Sequence, residues 1–98
     1  MGQVVWSRLA LSWLEEIRHY IEQDNPDAAR RTTLGILERV EVLADFPELG
    51  QKYERGPDRG VRVLLYGHYR IAYRVKVDRN VEIIGVFHGA LDIDRYLS

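Results

Sequence analysis

The 98 residues make room for one small domain with a single core. With 46% apolar and 30% charged residues and a net charge of −1, the composition excludes a chain disordered throughout. It also argues against a protein held on nucleic acid chiefly by phosphate contacts, which is usually basic. Cysteine is absent, so there is neither a disulfide nor a thiolate metal site, as suits a cytoplasmic protein. No signal peptide and no apolar run of membrane length is visible, so no membrane partner is expected.

In chain order, residues 3–6, QVVW, are β-branched and aromatic, and predict a strand that joins an edge of a sheet. Ser7 can cap the helix that follows. There Ala10, Trp13, Leu14, Ile17, Tyr20 and Ile21 recur at helical spacing as an apolar stripe, while His19 reads as a solvated helix residue. Asn25-Pro26-Asp27 is a break and a new start: a cap, a proline at the first helical position and an acid at the positive end. The second helix is expected over about residues 26–45, ended by Phe46-Pro47. Gly35 inside it predicts a close crossing with the first helix. Residues 48–60 read as an irregular connection whose Lys52, Arg55 and Arg59 are weak binding candidates.

Residues 61–88 alternate as three antiparallel strands. Register can be argued from the faces, because a slip by one residue sends an apolar set to the wrong side. A two-residue turn at Gly67-His68 would set Val61, Val63 and Leu65 against Arg74, Ala72 and Arg70. A three-residue connection, Tyr66-Gly67-His68, sets them against Tyr73, Ile71 and Tyr69 instead, and is the expected one. By the same test Asp78-Arg79-Asn80 pairs Val77 with Val81, Val75 with Ile83 and Ile71 with Phe87. Arg62, Arg70, Arg74 and His88 then emerge together on the other face, a place for an anion or an acidic peptide. The plainer alternative is that Arg70 pairs with Asp92 or Asp94, and that His88 is a hydrogen-bonded strand end. After His88, Gly89 allows a turn into a short terminal segment with Ile93, Tyr96 and Leu97. No metal-ligand spacing and no phosphate-binding glycine loop occurs, so neither metal nor cofactor is expected.

The fold expected is α+β: an N-terminal strand, an antiparallel helical hairpin, a three-stranded antiparallel meander and a short C-terminal segment, in one domain over residues 1–98. In that order the chain carries N-P-x-A-A (25–29), F-P-x-x-G (46–50), G-V-R-x-L (60–64), Y-R-I-x-Y-x-V (69–75) and V-x-H-G (86–89). With these motifs it resembles the RelE/ParE superfamily of bacterial type II toxins. The resemblance implies a growth-inhibiting toxin, neutralised by a cognate antitoxin in a toxin-antitoxin hetero-oligomer. It also implies two modes of action. The RelE-like branch cleaves messenger RNA on the ribosome; the ParE-like branch poisons DNA gyrase. On the nuclease reading, Arg62 and Arg70 would hold the scissile phosphate and His88 would be general acid or base. Leu64 falls where that branch has a second basic residue, and Tyr96 matches its terminal tyrosine only with an offset. The reading adopted is ParE-like and non-enzymatic, with Arg62, Arg70, Arg74, His88 and Tyr96 as binding residues and an antitoxin segment expected on an exposed edge strand and in the groove beside the helical hairpin. The alternatives are an mRNA endonuclease and a member that only binds its partner.

Overall fold

The structure, a computed structural model, describes residues 2–54 and 60–89. Strand β1 (Val4–Trp6) leads into helix α1 (Arg8–Glu22), whose first turn is capped by Ser7 Oγ accepting from the Ala10 amide at 3.0 Å. Helix α2 (Pro26–Glu41) starts on the Asn25 side chain, which accepts from the Ala28 amide at 3.1 Å, and closes in a 3-10 turn, Val42–Ala44. Strands β2 (Gln51–Lys52), β3 (Val61–Tyr66), β4 (Tyr69–Val75) and β5 (Val81–His88) complete the order. The α+β class, the edge strand, both caps and the helical hairpin are as the sequence predicts.

These strands form one five-stranded sheet in the order β1-β5-β4-β3-β2. β1 runs parallel to β5, so the first and last strands lie side by side, and the other neighbours are antiparallel. β2 lies within the stretch expected to be irregular and borders β3 through only two paired residues.

The register differs from the expectation. Gly67-His68 is a two-residue turn after all, setting Tyr66 opposite Tyr69, Leu64 opposite Ile71 and Arg62 opposite Tyr73. Gly67 has φ +58, the conformation that a tight hairpin turn can demand at its first central position and that glycine supplies without strain. At the other turn Val75, not Val77, pairs with Val81; Val77 is fully exposed at the tip, and Glu82 faces Arg74. Further along, the ladder jumps from Tyr73↔Ile83 to Ala72↔Gly85, leaving Ile84 as a β-bulge that reverses the phase of β5. Val81, Ile83, Val86 and His88 therefore share one face, with Phe87 on the other.

Alternation misled because both faces are apolar. Beneath the helices lies the larger core, with Ala10, Leu14, Ile36, Val40, Leu64, Ile71 and Tyr73. On the opposite face Tyr53, Val61, Ala72 and Phe87 form a second cluster. Ile71, Ala72 and Tyr73 are thus buried in succession in the central strand. Trp13 packs against both clusters, its ring centroid 5.2 Å from that of Phe87. The close approach at Gly35 is to the sheet and not to α1: a Cβ there would lie 1.8 Å from the Tyr66 hydroxyl.

Candidate functional site

The expected basic cluster is not assembled on one face. Directly opposed residues project to the same side of a sheet. Arg62, opposite Tyr73, and His88, opposite Tyr69, therefore belong to the helix side. Arg70, opposite Leu65 and Phe87, and Arg74, opposite Glu82, belong to the other. Arg62 and His88 are themselves separated along β4 by the span from Tyr73 to Tyr69, roughly 13 Å at strand rise. Tyr96, Arg55, Arg59, Asp92 and Asp94 lie outside the described residues.

Arg62 has a structural task. Its guanidinium donates to the carbonyls of Glu48 at 3.2 Å and Gly50 at 2.7 Å. Beside it the Tyr73 hydroxyl donates to the Pro47 carbonyl and accepts from the Gly50 amide, both at 2.8 Å. Together the two side chains fasten the 47–50 loop to the sheet. Burial pushes the Tyr73 phenol above its ordinary pKa, with the Gly50 amide and the Arg62 charge pulling the other way. Gly50 is required by the same packing, since a Cβ there would come within 2.7 Å of the Tyr73 ring and 2.8 Å of the Val63 carbonyl. Three of the sequence motifs, F-P-x-x-G, G-V-R-x-L and Y-R-I-x-Y-x-V, thus meet in one latch.

Arg70 is half-buried on the face away from the helices, and among the described residues it makes no ion pair or hydrogen bond. Arg74 lies four positions along the same strand, on the same face.

His88 is exposed and borders a cleft of about 430 Å³ between α1 and the ends of β4 and β5. Trp13, Ile17, Tyr20, Ile21, Tyr69 and Val86 give it an apolar, aromatic lining, and Glu16 adds an acid. Tyr20 is 75% exposed. The His88 ring meets Tyr69 edge-on at 5.4 Å between centroids. Burial, and then Tyr20 nearby, push the Tyr69 phenol up. The sequence suggests a groove beside the helical hairpin but assigns Trp13, Ile17 and Tyr20 to a core stripe, and so misses these lining residues. The available signal was the width of that stripe, too broad for α2 and the sheet to cover completely. His19 is exposed, as expected.

Among the described residues the arrangement offers an aromatic groove on one side of the sheet and the Arg70 guanidinium on the other.

Comparison with known proteins gives a consistent answer. Residues 4–93 match the family model described as ParE toxin of type II toxin-antitoxin system, parDE. The toxin candidate Y4kP of Sinorhizobium fredii (strain NBRC 101917 / NGR234) is 39% identical over 88 residues, 88% of this chain and 86% of that protein. Toxin RelE2 of Caulobacter vibrioides is 45% identical over 51 residues, 52% of this chain and 58% of the other. Among solved structures, the chromosomal ParDE toxin-antitoxin system from P. aeruginosa superposes with a TM-score of 0.76 at 25% identity, covering 92% of this chain and 98% of that one. The RelBE2 toxin-antitoxin complex from Mycobacterium tuberculosis shares the fold, with a TM-score of 0.62 at 19% identity over 89% of this chain and 96% of the other. The strand, helical hairpin and meander, the motifs that meet in the loop latch and a match along nearly the whole chain place it in the ParE toxin family of type II toxin-antitoxin systems.

Proposed function

We propose that this toxin inhibits growth by binding DNA gyrase, that it does not itself cut message, and that a cognate antitoxin neutralises it. The observation that carries the choice is the placement of Arg70 on the opposite face of the sheet from Arg62 and His88. Cleavage through a 2′-hydroxyl needs base, acid and charge stabiliser within hydrogen-bond reach of one phosphate. Groups on opposite faces of a pleated sheet do not converge in that way. Arg62, moreover, is already committed to the carbonyls of Glu48 and Gly50. Inhibition by protein binding asks only for a stable fold and exposed complementary surfaces.

The cleft beside α1 is the surface we assign to the antitoxin. An apolar side chain of an amphipathic segment fits among Trp13, Ile17, Tyr20 and Tyr69, with a basic residue toward Glu16.

The test is a gyrase supercoiling assay run alongside ribosomes carrying a defined message. Supercoiling should fall as toxin is added and recover with the cognate antitoxin, while the message stays intact. Message cleavage that disappears in Arg70→Ala would overturn the proposal in favour of the nuclease. Unimpaired supercoiling at saturating toxin would overturn the gyrase target. Tyr20→Glu should weaken antitoxin binding by about tenfold or more, as loss of a large aromatic contact does. Unchanged binding would remove the cleft from the antitoxin interface.

A further inference from the structure

The chain has three histidines. His19 stands by itself on the exposed side of α1, whereas His68 and His88 come together, their ring centroids 6.1 Å apart and the planes inclined at 58°. The fold makes this pair. His88 is opposite Tyr69 in the β4–β5 ladder, and beyond it the Gly89 amide donates to the His68 carbonyl at 3.2 Å. The backbones that carry the two rings are thereby tied to each other, one at the tight turn and one at the end of β5. Both residues are exposed, and among the described residues neither imidazole makes a hydrogen bond or ion pair that metal binding would have to break.

Imidazole nitrogen is a ligand for first-row divalent ions, zinc among them. With zinc–nitrogen distances of about 2.0–2.1 Å, two imidazoles on one ion place their centroids roughly 5–6 Å apart. The observed 6.1 Å lies just beyond that range, so the two exposed side chains must turn toward each other about their χ angles to hold one ion. Cysteine is absent from the chain, so no thiolate competes.

We propose that His68 and His88 together bind one zinc ion, with water in its remaining positions. A bound ion would pin the Gly67-His68 turn to the end of β5. It would also draw the His88 ring off the edge of Tyr69, changing one wall of the aromatic cleft. The inference is independent of the gyrase reading, since it rests only on the histidine pair.

Tag-free toxin titrated with zinc chloride, followed by calorimetry and by the proton resonances of the imidazoles, tests the site. Binding should saturate at one ion per chain, with the His68 and His88 signals moving together and His19 unchanged. His68→Ala and His88→Ala should each weaken binding by about tenfold or more. His19→Ala should bind as the parent does, and zinc should raise the melting temperature only where both partners are present. Because both side chains are exposed, the variants should keep the parent circular dichroism, which separates loss of ligand from loss of fold. Absence of saturable binding, affinity surviving either single substitution, or one ion shared between two chains would each overturn the intramolecular site.

Discussion

Arg62 shows how a residue that reads as functional in sequence can be structural in space. Its guanidinium, like the hydroxyl of the core residue Tyr73 beside it, goes to the 47–50 backbone. Tyr73→Phe keeps the ring but leaves the Gly50 amide and the Pro47 carbonyl without their partner. A buried group left unsatisfied costs about 1–3 kcal/mol. Urea denaturation should show that loss, with no change in the denaturant slope if the fold is retained. Arg62→Ala releases the neighbouring carbonyls and should cost about 1 kcal/mol, less because the site is partly solvated. As the two side chains grip one loop, the double variant should lose less than the sum of the single losses. Strict additivity would mean that they hold the loop independently. Gly50→Ala should be worse tolerated than its small size suggests, because a Cβ there meets a carbonyl as well as a buried ring.

At the scale of elements, the helices and their ends were legible in the sequence and the strand faces were not. Ser7, Asn25 and Pro26 act locally, each on its own first turn, so one-dimensional information suffices for them. Which face of β3 meets the helices depends on how much apolar surface covers each side, and here both sides are covered. The bulge at Ile84 compounds the error by resetting the period of β5. The candidate site fared likewise: Arg62, Arg70 and His88 were identifiable as the basic residues of the strands, but their grouping inherited the wrong register. Leu64 and Leu65 separate the two registers experimentally, being 3% and 52% exposed. Leu64→Ala should cost about 2–5 kcal/mol, as truncation of a buried leucine does. Leu65→Ala should cost well under that, about 0.5 kcal/mol or less. The reverse ranking would restore the three-residue connection. Gly35 offers a second check on packing. Alanine gains about 1 kcal/mol over glycine in a helix interior, but here it collides with the Tyr66 hydroxyl. Gly35→Ala should therefore stabilise the Tyr66→Ala background more than it stabilises the parent.

For the molecule as a whole, the consequence is a fold whose central strand is buried on both sides and linked through one phenol to the loop that precedes β2. The larger core reaches the 47–50 loop by way of Tyr73, so stability should respond to the ionisation of that group. Burial is the leading cause of the raised Tyr73 pKa, as it is for Tyr69, and it disfavours phenolate in the folded state. An unfolded tyrosine titrates near pH 10. Below that pH the phenol is neutral in both states and its contribution is fully present. Above it the unfolded chain gives up the proton first, and the contribution is lost as pH rises toward the higher folded value. The stability of the parent should therefore fall on the alkaline side of about pH 10, at no more than about 1.4 kcal/mol per pH unit for each such group. Tyr73→Phe, although less stable at neutral pH, should show a shallower decline over the same window. Chemical denaturation repeated at several alkaline pH values measures both slopes. Equal slopes would mean that the phenol ionises as readily in the folded core as in the open chain, and that the latch is not sealed from solvent.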